Sequence, residues 1–345
     1  MILRGTRRTT SCRAIARARD PASAAFPRLE AAGAELFDAL IGPAAAAVER
    51  SERLLVVADG PLHLLPFAAL VSETRDESGT TRYLADWRPS SHVLSMTLYA
   101  ELRRPRPAAE REDAVALALF GDPLYPEALR QGDAEAIAEP RLRSARRRGL
   151  LASAALPHSR EEVEGIAGLY PSAEVRVHLG AAATEESVKA LAATRSVHFA
   201  VHGYLDERFP LSSGLVLTIP DGPPEGRDNG LLQAWEVFES VRLDADLVVL
   251  SACASALGEE RGGEGLIGLT RAFQYAGARA VAATLWNVDD RATARLMTLF
   301  YRRLRAGAAK DEALRAAQVE LRSDPEVEAS APYYWAAFQI FGDGR

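Results

Sequence analysis

The spacing of apolar and polar positions changes character along this chain. In residues 29–50, apolar side chains recur at helical spacing in an alanine-rich background (Leu29, Leu36, Leu40, Val48), which predicts one or two helices. The segment RLLVVADGPLHLLPFAAL opens with an uninterrupted apolar run at 54–58 and turns at Asp59, Gly60 and Pro61, the composition of a short buried strand and its turn. Residues 103–113, RRPRPAAERED, are charged, carry two prolines and show no apolar period, so they form the best internal boundary. Beyond it, runs at 115–120, 174–178, 197–201, 247–252, 279–285 and 337–341 read as strands. Between them lie helix signals: SREEVEGIAGLY, TEESVKALAA, and a run after Gly265 with Leu266, Leu269, Phe273 and Ala276 on one face and Gly277 at its end. Alternating strands and helices predict an α/β fold with a mostly parallel sheet covered on both faces. In such sheets the functional groups gather beyond the carboxyl ends of the strands.

Composition narrows the class. At 345 residues the chain is long enough for one large domain or two ordinary ones, and 48% hydrophobic with 26% charged residues describes a soluble globular protein. A net charge of -6 argues against nucleic acid as a direct partner. No apolar run approaches the roughly 20 residues of a membrane span, so no membrane is expected. The two cysteines, Cys12 and Cys253, fit a reducing, cytoplasmic compartment better than a disulfide. Six arginines precede the first acid in MILRGTRRTTSCRAIARARD, which lacks the apolar stretch of a secretory signal and reads as a tail.

The stretch LSACASALGEERGGEGLIGL holds two rival chemistries. Gly263, Gly265 and Gly268 spell G-x-G-x-x-G, and the acidic Asp289 and Asp290 follow Gly268 at about the spacing of a ribose-binding acid. A dinucleotide fingerprint, however, needs its first glycine in the tight turn directly after a strand, whereas the insert ASALGEERG separates this strand from Gly263. Cys253 stands where a nucleophile belongs, at the carboxyl end of a buried run, and the neighbouring run SVHFAVHGY delivers His202, followed by Gly203. A Cys/His pair at two strand ends is the minimal machinery of thiol acyl transfer. Their separation, 253 less 202, is near the roughly 50 residues of caspases. His198 lies deeper in the same run and reads as a buried sheet residue, and His63 as a packing or turn residue. No partner is evident for His92, His158 or His178.

Several motifs in fixed order, VADGPLHLLPFAAL, RYLADW, VHFAVHGY, LSSGLVLT, LVVLSACASALG, GGEGLIGLTRAFQYAGARAVAATLWNVDD, LMTLFYRRLRAG and YYWAAFQIFG, give the chain a resemblance to the CHAT domain over nearly all of Leu54 to Gly342. That family is a branch of the caspase, separase and gingipain clan of cysteine peptidases. The resemblance implies a caspase-like three-layer sandwich with a mostly parallel central sheet, preceded by a smaller N-terminal subdomain. The division would be an arginine-rich tail with short helices (1–50), an N-terminal CHAT subdomain (51–110) and a caspase-like catalytic domain (111–345). It implies His202 of the H-G motif as the base, Cys253 of S-A-C as the nucleophile, and the backbone N–H groups of Gly203 and Cys253 as oxyanion donors. No metal or other cofactor is called for. The implied function is a bacterial CHAT-type cysteine endopeptidase cutting a protein substrate. Relatives are said to act in bacterial defence or regulated cell death, on partners such as a gasdermin-like pore former, and an activating protein is a further expected partner. CHAT proteins commonly carry tetratricopeptide repeats upstream, yet the first 50 residues show no 34-residue period.

Two further expectations concern the surroundings of the dyad. The insert ASALGEERGGEG is polar and glycine-rich, which predicts a mobile loop beside the nucleophile. In caspase-like folds the loop after the next strand lines the substrate cleft, so Asp289 and Asp290 become substrate-binding candidates favouring a basic residue before the cut. The competing role is capping of the helix that begins RATARLMTLF, and Asp290 is the favoured cap. A different class remains open as well: a catalytically silent CHAT-like module that binds partners.

Overall fold

Whether an apolar run becomes a central or an edge strand depends on which runs it meets. The computed structural model describes residues 26–73, 80–105, 115–126, 156–191, 194–219, 228–251, 253–254, 264–286, 288–327 and 329–345. Its strands, in chain order, are β1 (Leu54–Val56), β2 (Val71–Glu73), β3 (Arg82–Tyr83), β4 (Ser90–His92), β5 (Val115–Gly121), β6 (Val175–Leu179) and β7 (Thr194–Ala200). They continue as β8 (His202–Tyr204), β9 (Gly214–Val216), β10 (Leu231–Gln233), β11 (Leu247–Leu250), β12 (Cys253–Ala254), β13 (Ala280–Thr284) and β14 (Phe338–Gly342). An eight-stranded sheet runs in the order β1-β4-β14-β13-β11-β7-β5-β6, and a four-stranded sheet in the order β10-β9-β8-β12. In the large sheet the β13–β14 pair is antiparallel and the other pairings are parallel. It is the mostly parallel sheet expected. It also crosses the boundary expected at 103–113, because β1 and β4 extend it beyond β14.

The longer helices are α1 (Phe26–Leu40), α2 (Met96–Leu102), α3 (Ser159–Ala167), α4 (Ala234–Ser240), α5 (Glu264–Tyr275), α6 (Asp290–Arg305) and α7 (Lys310–Leu321). Side chains alternate across a strand, and β7 shows what each face meets. Phe199 lies 5.7 Å from Phe273 of α5, whereas His198 reaches Glu162 of α3 and Tyr301 of α6. The sheet is therefore the middle of three layers, with α4 and α5 on one side and α3, α6 and α7 on the other. Strands buried on both faces require continuous apolar sequence, and LVVL of β11 and AVAAT of β13 are buried at every position. No single described helix is long and apolar enough to cross a membrane.

Local chemistry sets the helix ends. The expected stop at Gly277 is observed: its φ of 118° is a left-handed conformation, and a Cβ there would stand 1.9 Å from the carbonyl oxygen of Leu243. At its other end α5 receives a cap from a distant segment. The Glu207 carboxylate accepts the N–H groups of Glu264 (3.0 Å) and Gly265 (3.1 Å).

Candidate active site

His202 and Cys253 each lie just past a central strand. β5 pairs with β7 up to Gly121 opposite Ala200, and there Asp122 takes a positive φ of 47° and turns β5 away. Just past that point the β7 chain bends at Val201 and starts β8 in the small sheet. β11 does the same, ending at Leu250 before β12 begins at Cys253. The expectation of two strand ends is thus refined: both residues follow the carboxyl ends of central strands and open short strands of a second sheet. Their relation survives the break. Along β7 and β11 the parallel register pairs Phe199 with Leu250, and beyond it β8 and β12 pair His202 with Cys253. Both pairs are the same number of residues apart. Adjacent strands lie roughly 4.8 Å apart, so the two Cα atoms are immediate neighbours.

His202 is 5% exposed. Its ring stands 5.5 Å from that of Tyr125 at 33°, and its N–H lies 3.5 Å from the Tyr125 hydroxyl, which donates to the Val216 carbonyl at 2.9 Å. The loop after β8 is closed by Asp206, whose N–H donates to Ser213 Oγ and whose carboxylate accepts the N–H groups of Arg208 and Phe209. β8 lies between β9 and β12, so Gly203 sits inside the small sheet, while Cys253 belongs to its edge strand β12. Of the two expected oxyanion donors, Cys253 is therefore the one on an edge strand among the described residues.

The remaining expectations fare differently. Gly265 and Gly268 lie within α5 rather than in a strand-to-helix turn. Added Cβ atoms would meet Leu205, Glu207 and Ser213 at Gly265, and Pro210 at Gly268, all within 3.0–3.2 Å. These glycines let α5 close onto the loop that follows His202, which accounts for them without a nucleotide. Asp289 caps α6, accepting the N–H of Ala292 at 2.9 Å, so the cap is Asp289 and not the favoured Asp290. The Asp290 carboxylate instead accepts the N–H of His158 at 2.8 Å, and burial pushes its pKa up. Both candidate substrate-binding carboxylates are thus engaged within the chain. The insert expected to be mobile falls mostly on residues 255–263, and Cys12 in the leader; both lie outside the described residues.

The other histidines lie in structural surroundings. His198 is fully buried, with Nε2 2.9 Å from Glu162 and Nδ1 3.3 Å from the Tyr301 hydroxyl. His178 stacks on Phe120 at 4.5 Å, and His158 reaches Glu161 at 2.8 Å. His63 lies in the turn Gly60–Leu64, where burial lowers its pKa. His92 is buried beside Phe67 and Phe341, and burial lowers its pKa to about 3. Among the described residues no group of three or more His, Cys, Asp or Glu side chains is placed to hold a metal ion. Sequence reasoning missed Tyr125 and Glu207. The signal for Tyr125 was the turn GDPLYP directly after the run at 115–120, but nothing local showed that β5 lies beside β7.

Comparison with known proteins places this arrangement in a family. The CHAT domain family model matches residues 30–343. Tetratricopeptide repeat protein 28 of Homo sapiens is 27% identical over 346 residues, covering 89% of this chain and 13% of that protein. Its counterpart in Mus musculus is 26% identical over 349 residues with the same coverage, so the chain spans about 13% of the length of these relatives. Among solved structures, the Saccharomyces cerevisiae separase–securin complex is similar with a TM-score of 0.48 and 14% identity, covering 84% of this chain and 15% of that one. The Arg-specific cysteine proteinase gingipain R is similar with a TM-score of 0.43 and 9% identity, covering 74% of this chain and 54% of that one. With a family match that takes in both sheets, the dyad candidates and the helices around them, the chain belongs to the CHAT domain family.

Proposed function

We propose that this chain is a cysteine endopeptidase in which His202 is the general base and Cys253 the nucleophile. The observation that carries the reading is the parallel register of β8 and β12, with Cys253 opposite His202 just past two buried central strands. A nucleophile and its base need hydrogen-bond reach, and neighbouring strands in register supply it with little conformational freedom to lose. In the reaction the imidazole takes the thiol proton and the thiolate adds to the peptide carbonyl. The oxyanion is met by backbone N–H, for which Cys253 on the edge strand is the stronger candidate. The imidazolium then gives its proton to the leaving amine, and water hydrolyses the thioester with His202 again as base.

The test is labelling of the purified full chain with a peptidyl electrophile selective for activated thiols, followed by peptide mapping. The expected result is one adduct at Cys253, lost in Cys253→Ala and slowed at least about 100-fold in His202→Ala, in line with the loss of a general base. Folded protein that gives no adduct at Cys253, or the same rate without His202, would overturn the reading and leave a partner-binding module. Comparing proteomes of cells expressing wild-type and Cys253→Ala chains would then report the cleaved sequence.

A further inference from the structure

We infer that Tyr125 is a positioning residue for His202: it holds the histidine at the break between β7 and β8, so that the imidazole faces the β12 register partner. The inference rests on the peptidase reading above. Its hydroxyl stands between two groups that a continuous ladder would join, the N–H of His202 at 3.5 Å and the carbonyl of Val216 at 2.9 Å, and Val216 is the β9 residue paired with His202. Its ring lies against the imidazole with centroids 5.5 Å apart. One side chain thus touches both the backbone and the ring of the same histidine.

The chain fixes Tyr125 in place from several directions. At Asp122, whose φ of 47° few non-glycine residues adopt, the carboxylate takes two N–H groups of Arg160, at 2.9 and 2.6 Å. Its N–H donates to Ser159 Oγ at 3.0 Å, and its carbonyl accepts the Gly180 N–H at 3.1 Å. Leu124 donates to Thr218 Oγ1 at 3.0 Å, and its carbonyl accepts the N–H of Ile219 at 3.0 Å. The segment from Asp122 to Tyr125 is thereby bound alongside the continuation of β9, with Tyr125 directed at the start of β8. Strain of this sort persists only where its surroundings over-determine it. Burial also pushes the Tyr125 phenol above the ordinary tyrosine range, so the hydroxyl stays protonated and remains a donor. Among the described residues, the titratable groups these contacts and pairings bring to the histidine are Tyr125, with Asp122 acting on it from the loop after β5, and Cys253 as register partner from β12. The β9 partner, Val216, has none.

The experiment needs no natural substrate. In the full chain carrying Cys12→Ser, Cys253 is the one remaining thiol, and its alkylation by iodoacetamide is followed from pH 5 to pH 9. The parent should react well below the ordinary thiol pKa of about 8.5, in a limb abolished by His202→Ala. Tyr125→Phe should slow alkylation at pH 6 by about three- to tenfold, the worth of one hydrogen bond. Tyr125→Ala should slow it further, both with unchanged circular dichroism. Should the alanine variant fail to fold, the phenylalanine variant decides. A pH profile superimposable on the parent's in folded Tyr125→Phe and Tyr125→Ala overturns the inference alone. A parent that already reacts like an ordinary thiol, with or without His202, overturns the peptidase reading and this inference with it.

Discussion

Adjacent aspartates end up with opposite roles. Asp289 donates nothing and accepts the Ala292 N–H at the start of α6, while Asp290, one residue inside the helix, is partly desolvated and holds His158. The sequence made capping legible at this pair but not its register, because either aspartate precedes the same apolar period and a one-residue shift leaves that pattern intact. Asp289→Ala should lower the unfolding free energy by about 1 kcal/mol in denaturant titration, the usual worth of an N-cap. If the carboxylate is structural, the same variant leaves the residue preference before the cut unchanged in a peptide library. A preference for basic residues that vanishes with Asp289 would restore the pocket assignment. Asp290 carries a linkage of its own. Its folded pKa lies above the ordinary value, so its contribution to stability is largest below about pH 3.9 and is lost as pH rises through the folded value. Asp290→Asn, which keeps an acceptor for His158, should therefore cost less at pH 7 than Asp289→Ala in the same titration.

At the scale of elements, the seven runs expected to be strands all lie in the eight-stranded sheet: the central β11 and β13 are buried at every position, as their near-continuous apolar sequence requires, while β1 and β6 are only partly buried. The eighth strand, β4, escaped notice for the converse reason. Its residues are Ser90, Ser91 and His92, and although Ser91 and His92 are each 3% exposed, no hydropathy pattern marks them. The small sheet was illegible as well. Its strands span two or three residues each, too few for alternation to register, and the break at Val201 coincides with the end of the β5–β7 pairing at Gly121, far back along the chain. Hence the sequence pointed to His202 and Cys253, but it could not show that a second sheet pairs them. The helix ends were clearer. Gly277 has a φ of 118° and its added Cβ would overlap the Leu243 carbonyl, so Gly277→Ala should destabilise by at least about 2 kcal/mol, seen as a lowered denaturant midpoint. A midpoint within error of wild type would mean that α5 ends by another device.

At the scale of the whole molecule, the segment before the expected boundary is built into the rest. Arg53 binds Asp311 of α7 through two contacts at 2.9 and 2.8 Å, Arg322 pairs with Asp86, and Arg279 donates to the carbonyls of Leu102 and Arg104. The seam in the sheet is β4 against β14, where His92 pairs with Phe341. His92 Nδ1 has no hydrogen-bond partner among the described residues, and the ring is packed against Phe67 and Phe341, with His63 close enough to disfavour a second positive charge. Desolvated by burial and with His63 nearby, the ring is neutral in the folded protein down to about pH 3, whereas in the unfolded chain it titrates near 6.5. The unfolded state thus binds the extra proton between these values. The stability that neutral His92 represents is complete above pH 6.5 and drains away as pH falls towards 3, by up to about 1.4 kcal/mol per pH unit. Since β1 attaches to the sheet through β4, the loss should begin at that edge, with amides of β1 and β4 exchanging faster at pH 5 than at pH 7, after correction for intrinsic rates, while β7 and β11 stay protected. His92→Gln, which cannot take up a proton, should cost stability at pH 7 but flatten the decline between pH 6.5 and pH 4. A decline as steep in the variant as in wild type would assign the acid sensitivity to another group.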